Sequence, residues 1–394
     1  MKKKITVIGN GFASLFFIQY LLALPTYPFF AFFFRKLFSR YEVTLIGTGK
    51  FIYFPAIPDF IIGTKNTKGI TTDIRPYLRR RNIRFIEDEV IDIQEGGRKV
   101  ITRGGEYEND ALFVGIGPAF EKDAIPGMAE HSYSPCDGPE RMDEFMSRLN
   151  AMDEGIIYCG FTINRRDKFV SGRAGQMYEC ACLLDLALKE RGVRDKFEIH
   201  FFSPALDPDD KGPITQRMEE RGVILEYGFA PAEFTAEGMK NAEGEFHKAD
   251  LVLFSPGIIA PPLAENSCLP VTPGGLIEVD EFGQVAGLEN VFSSGDCAAH
   301  ANPPPWIPHQ AHMAQMRSEA AAKNLRAVLR GEAPTHTYRF ELSCILNMGN
   351  DAMWMHRASD DKPPFRGIFP KRSPFLMRVK NSFEGIYQLY LKYL

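Results

Sequence analysis

Apolar positions along this chain fall into two rhythms, short unbroken runs and longer stretches at helical spacing. Ile5-Thr-Val-Ile8 closes on Gly9, and an apolar run of that length ended by glycine reads as a buried strand. A helix is expected from about Ser14 to Leu24, and Glu42–Gly47 reads as the second strand. Residues 82–103 alternate like hairpin strands, while Asp110–Gly117 reads as a buried strand ending in small residues. Gly155–Gly160, Phe197–Phe202 and Gly222–Leu225 are further strands, with a strong helical pattern from Gln176 to Arg191. Asp250–Gly257 is expected to return the chain to the first unit, Gly274–Gly283 to form a hairpin and His309–Arg330 a helix.

Strands alternating with helices predict an α/β chain. The glycine turns sharpen this to two Rossmann-like dinucleotide-binding domains. Gly9-x-Gly11-x-x-Ser14 follows the first strand and opens a helix, the arrangement that cradles a pyrophosphate on backbone N–H groups. Far along the chain, Val291-Phe-Ser-Ser-Gly295-Asp296 sets a carboxylate after another short strand. An acidic residue that would bind ribose normally ends the second strand; here that position is Gly47, followed by Thr48, Gly49 and Lys50. The second unit's first turn, Gly160-Phe-Thr-Ile-Asn164-Arg165-Arg166, has no such glycine pattern. It is read as having lost nucleotide binding, the alternative being a degenerate loop that binds phosphate through Arg165 and Arg166.

Composition narrows the classes. The 394 residues carry a formal net charge of -4, which gives no reason to expect nucleic acid as a partner. Seven cysteines without a C-x-x-C pair argue for reduced thiols, and no metal site is expected. The 32 phenylalanines need more than one core. Residues 13–34 carry no charge, but Pro25 and Pro28 break the run and cleavage would destroy the glycine turn, so neither a spanning helix nor a signal peptide is preferred. The stretch Phe29–Phe34 either packs on its own domain or dips into a membrane surface. In the last residues, Leu376, Val379, Phe383, Ile386, Tyr390 and Leu394 fall at helical spacing, with Arg378, Lys380, Glu384, Gln388 and Lys392 on other faces. Tyr387, Tyr390 and Tyr393 suit a bilayer interface, the alternative being packing against a second copy in a homo-oligomer.

Across nearly its whole length the chain resembles the sulfide:quinone oxidoreductases, relatives of flavocytochrome c sulfide dehydrogenase and type II NADH dehydrogenases. The matching stretches are Gly9-x-Gly11, the Phe51–Pro58 loop, Asp110–Gly117, Gly274–Asp296, Pro308–Ala314 and Cys344-x-x-x-Met348-Gly349. The resemblance implies an FAD-dependent oxidoreductase passing electrons from a small sulfur-containing donor to quinone. It implies a peripheral, monotopic attachment to the membrane surface through a C-terminal amphipathic segment; the cytoplasmic face is expected because the sequence carries no convincing export signal. It divides the chain into an FAD-binding domain (1–125 with 275–335), a second Rossmann-like domain (150–275) and a C-terminal interface segment (336–394). FAD is then expected against Gly9, Gly11, Phe12, Ala13, Ser14, Gly47, Lys50, Pro55, Val90, Gly115, Ile116, Gly117, Gly295, Asp296 and Ala311.

The sulfide-oxidising branch uses two cysteines near the flavin, one forming a persulfide and one carrying the sulfur chain. Cys344 matches one of them and Cys136 a third, less essential one, but the second falls on Arg173. Cys180 and Cys182 are read as core. Arg173 is expected either to bind an anionic substrate and lower the pKa of Cys344 if close, or to be a solvated loop residue with sulfide activity lost. His309 stands where that family often has a lysine, and His309 or His312 is a candidate proton donor, the alternative being a helix-surface histidine. Trp306, Phe340, Met348 and Trp354 either line a quinone slot or belong to the core. A type II NADH:quinone reductase and a flavin-binding scaffold without turnover are the alternative functions.

Overall fold

The computed structural model describes residues 2–22, 41–164, 166, 173–204, 212–304, 309–358 and 369–393, the side chains of 369–372 excepted. Phe29–Phe34, Arg165, Trp306 and Pro308 lie outside them. In chain order the elements used below are β1 (Lys3–Ile8), α1 (Phe12–Leu21), β2 (Tyr41–Gly47), β3 (Arg84–Glu87), β4 (Val90–Gln94), β5 (Lys99–Thr102), β6 (Glu106–Glu108) and β7 (Ala111–Val114). Then come β8 (Gly155–Phe161), α2 (Ala174–Glu190), β9 (Phe197–Ser203), β10 (Val223–Tyr227), β11 (Leu251–Ser255) and β12 (Val291–Ser293). The chain closes with α3 (Ala311–Val328), β13 (Glu341–Asn347), β14 (Ala352–Ala358), β15 (Phe369–Ser373) and α4 (Pro374–Tyr393).

Five parallel strands form one sheet in the order β12-β7-β1-β2-β3. Its central strands are buried on both faces, which is why they read as unbroken apolar runs rather than alternations. Helices α1 and α3 pack against each other through small side chains such as Ala13, Ala314 and Ala321. A second parallel sheet runs β10-β9-β8-β11, and the buried face of α2 (Cys180, Leu183, Leu184) shares a core with Ile157, Cys159 and Phe201 of that sheet.

Two strand assignments read from the pattern are corrected. Residues 84–87 are no hairpin partner of β4; β3 extends the first parallel sheet, and only β4, β5 and β6 make the antiparallel meander. The strand at Leu251–Ser255 does not return to the first sheet but lies beside β8, Ile157 opposite Leu251. Periodicity identifies a strand without naming its neighbour, which explains both errors.

Strands β13-β14-β15 form an antiparallel sheet, and α4 packs against it and against the short helix Arg75–Arg80. Here the tyrosine expectation is corrected for Tyr387 and Tyr390, whereas Tyr393 is exposed. Tyr387 is enclosed by Phe12, Phe16 and Phe51 at 5.3–5.6 Å between centroids, and Tyr390 packs on Tyr77 at 5.5 Å. Lys380 and Glu384, expected on polar faces, are both drawn inward into ion pairs. The stripe left bare is Phe375, Phe383, Ile386, Leu389 and Tyr393. Among the described residues no helix is long and apolar enough to cross a membrane.

Candidate active site

The C-terminal ends of β1, β7 and β12 bring three loops into one cradle. Gly9 has φ +94° and an added Cβ would lie 2.3 Å from the Gly115 carbonyl oxygen, so only glycine fits there. Gly11 caps α1 and a Cβ there would meet nothing within 4 Å; open space over a helix N-terminus suits an anion. Gly117, at φ +71°, is equally open. Ser14, at the place of the third glycine, is fully buried with its hydroxyl shared between the Ile8 and Gly115 carbonyls at 3.2 and 3.3 Å. It joins helix to strand with hydrogen bonds where glycine would do so by close approach. An added Cβ on Gly295 would lie 2.9 Å from the Ala13 Cβ, so the Gly295–Asp296 loop rests on the start of α1. Ile116 and Val90 pack with Ile8 and Ile46, Pro55 sits in the first turn of the 3-10 helix Phe54–Phe60, and Ala311 is the first residue of α3.

Four residues shape this cradle without any local sequence signal. Asn10 fills the space a side chain on Gly47 would need, its Oδ1 being 2.5 Å from such a Cβ. That oxygen accepts the Thr48 N–H at 2.9 Å, and the Asn10 amide donates to the Lys50 carbonyl, whose own side chain is exposed. An amide bridge therefore occupies the place beside Gly47 at the end of β2. Arg317 donates to the carbonyls of Gly295, Ala298 and Ala299 at 3.1, 3.1 and 2.6 Å and so folds the loop after Gly295. His300 lies 5.3 Å from His309 and 5.5 Å from Phe340, centroid to centroid. Ser318 ties α3 to the Ala13 carbonyl at 2.9 Å.

Asp296 is paired with Arg173, 2.6 Å from Nη2, and His309 Nδ1 stands 3.6 Å from its other oxygen. Burial would raise the Asp296 pKa, but the Arg173 charge, with His309 and Arg317 behind it, holds it down to about 2. Arg173 is thus no solvated loop residue. Nor does it act on Cys344: its charge bears on Cys136, which burial nonetheless pushes up. Cys136 sits in a tight turn, Sγ 3.4 Å from Ser255 Oγ.

Cys344 lies on β13, half-buried, with burial and then Glu179 pushing its pKa up to about 12, against Lys380. The lowered pKa expected for it is therefore corrected. Cys136 and Cys344 are both free, and Cys180 and Cys182 are core residues. Beside Cys344 lies a buried polar group. Lys380 pairs with Glu179, Asn347 N–H donates to Glu179 at 2.5 Å, and Asn347 Nδ2 donates to Asp59 at 2.7 Å. Burial alone would lower the Lys380 pKa, but Glu179 and Asp59 outweigh it and raise it. The two candidate histidines separate: His309 is buried near Asp296, whereas His312 lies 3.3 Å from Glu341 and is a third exposed. Met348 is fully buried in the core.

In the second sheet Asn164 stands at the start of the turn after β8. Asn164 is fully buried and donates to the Ile258 and Gly274 carbonyls at 2.8 and 2.6 Å. An added Cβ on Gly257 would meet the Asn164 backbone at 2.8 Å.

A glycine cradle facing a Gly-Asp loop, beside a second parallel sheet, defines a dinucleotide-fold oxidoreductase. Residues 178–318 match the family model described as pyridine nucleotide-disulphide oxidoreductase. The chain is similar to the type II NADH:quinone oxidoreductase of Staphylococcus aureus, 23% identical over 96% of this chain and 94% of that protein. It is similar as well to the sulfide-quinone reductase of Aquifex aeolicus, 24% identical over 98% of this chain and 90% of that one. The crystal structure of the Aquifex aeolicus sulfide:quinone oxidoreductase superposes with a TM-score of 0.82 at 22% identity, covering 99% of this chain and 91% of that chain. The structure of NDH2 from Plasmodium falciparum with NADH gives 0.72 at 12% identity, covering 99% and 97%. This chain is an FAD-dependent oxidoreductase. Its residues fit the cofactor: the open Gly11 and Gly117 positions leave room for it, and Asp296 supplies the carboxylate.

Proposed function

We propose that this protein takes electrons from a reduced sulfur species, relays them through FAD and delivers them to quinone at the membrane surface. The observation that supports this reading is Asn164 in the turn after β8, a bulky buried side chain donating to the Ile258 and Gly274 carbonyls where a glycine would let a pyrophosphate approach the backbone. FAD, when bound, supplies a two-electron relay between donor and quinone. The protein's own residues do the rest. The glycine cradle and Asp296 hold the cofactor, and Cys344 offers the thiol that meets the sulfur donor. The Glu179–Lys380 pair keeps charge and exchangeable protons beside it. Residues of β13–β15 and the bare stripe of α4 face the quinone and the bilayer, on the cytoplasmic side. Type II NADH:quinone reduction is disfavoured by the same Asn164 geometry. The test is sulfide-dependent reduction of a soluble quinone by the purified protein in lipid. Turnover that vanishes in Cys344→Ser supports the reading, and turnover with NADH but not sulfide overturns it.

A further inference from the structure

Met348 and Gly349 lie in the turn between β13 and β14, where the Met348 N–H closes on the Asp351 carbonyl at 2.9 Å. Arg221 follows the helix Pro213–Glu220 of the second unit and reaches into this turn. Its Nη2 donates to the Met348 carbonyl at 2.5 Å, and its Nη1 to Asp185 on α2 at 2.8 Å. Asp185 is fully buried and also pairs with Lys189 and Arg194, at 2.9 and 2.8 Å. Arg217 of the same helix holds Asp351 at 2.9 Å. Gly349 has φ +100°, and an added Cβ there would lie 2.0 Å from Arg221 Nη2. Glycine suits this position for its backbone and for the guanidinium packed beside it.

Asn347 joins this turn to the surroundings of the thiol. It is buried, its N–H donates to Glu179 at 2.5 Å, its amide donates to Asp59 at 2.7 Å, and its Oδ1 accepts the Gly349 N–H at 3.0 Å. Glu179 and Lys380 are the charged groups whose fields reach Cys344, earlier on the same strand. Contacts therefore run unbroken from Asp185 through Arg221, Met348 and Asn347 to Glu179. We infer that Arg221 is a positioning residue of the thiol site: by holding the Met348 carbonyl it fixes the turn so that the Asn347 N–H meets Glu179, and so sets the charge that faces Cys344. It acts through Asn347 and Glu179 rather than on the thiol itself. A carboxylate that accepts an N–H keeps its charge more readily. Without that donor Glu179 takes up a proton more easily, and Lys380 then favours the Cys344 thiolate with less opposition. The inference rests on Cys344 being the donor thiol, as read above, but its test needs no sulfur donor.

Peptide-resolved alkylation of the FAD-loaded protein with iodoacetamide, from neutral to mildly alkaline pH, tests this. Exposed Cys268 reports the reagent, and buried Cys159 and Cys180 report any opening of the fold. Arg221→Gln leaves Lys189 and Arg194 on Asp185, so no buried charge is stranded. In that variant Cys344 should alkylate at least about threefold faster, the gain in thiolate from a modest fall in pKa, with Cys159 and Cys180 unmoved. Gly349→Ala, whose methyl would displace Arg221 from the Met348 carbonyl, should do the same and decides the matter if Arg221→Gln fails to fold. Arg221→Lys should bring the rate part of the way back. An unchanged Cys344 rate overturns the inference. So does parallel labelling of Cys159 and Cys180, which would assign Arg221 to the stability of the second sheet alone. Sulfide-dependent quinone reduction that survives in Cys344→Ser defeats the donor-thiol reading and leaves the alkylation result to stand or fall separately.

Discussion

Lys380 of the last helix and Glu179 of α2 form an ion pair out of water, although 201 residues separate them. The pair fixes α4 against the sheet that carries Cys344. Removing one partner leaves an uncompensated buried charge, which costs about 3–5 kcal/mol. Lys380→Met is therefore expected to lower stability by that amount in denaturant unfolding. The double variant Lys380→Met with Glu179→Gln should recover much of it. A cost under about 1 kcal/mol for the single variant would show that water reaches the pair.

The stripe Phe375, Phe383, Ile386, Leu389 and Tyr393 is 51–71% exposed, while the opposite side of the helix is packed. Soluble proteins seldom leave such a patch uncovered. Each large apolar side chain transferred to lipid contributes about 1.5–3 kcal/mol. Phe383→Glu with Ile386→Glu should abolish sedimentation with anionic vesicles and leave the fold intact by circular dichroism. Undiminished sedimentation would move the membrane contact elsewhere.

The Asn10 bridge gives a steric prediction. Gly47→Ala places a methyl 2.5 Å from Asn10 Oδ1, so the bridge to Thr48 and Lys50 must break. FAD affinity should fall by up to about tenfold, the value of the lost hydrogen bonds. Asn10→Ala in the same background should add little further. Additive losses in fluorescence titrations would mean the two positions act independently.

Acid stability follows from Asp296. A carboxyl held below its unfolded value stabilises the fold above that value, and the contribution is lost as pH falls through the folded pKa. For Asp296 that window runs from about 3.8 down to about 2. The stake is about 2 kcal/mol. Arg173→Gln should lower stability at neutral pH, raise the midpoint of acid unfolding and flatten the fall of stability through this window. An unchanged acid midpoint would separate Arg173 from Asp296.

What was legible in the sequence was local. The strand before Gly9 and the loop before Asp296 announce themselves because a tight turn excludes side chains, and such exclusion leaves glycine behind. Ser14 was visible as a departure, though its two carbonyl contacts were not. Asn10, Arg317 and His300 carry no local mark, because their roles exist only once three strand ends meet. Lys380 and Glu384 looked like solvent-facing charges on an amphipathic helix. A single helical wheel does not distinguish a helix with two apolar faces, one packed and one bare. Arg173 was read as an interruption of a cysteine pair; its partner Asp296 lies 123 residues away, beyond any local pattern.

The most direct test of the central claim is an anaerobic flavin spectrum of the purified protein, titrated first with a sulfur donor and separately with NADH. Bleaching by the sulfur donor, with recovery on adding a soluble quinone and no response to NADH, is the predicted result. Bleaching by NADH alone would mean that the second sheet binds NADH despite Asn164, and would contradict the account.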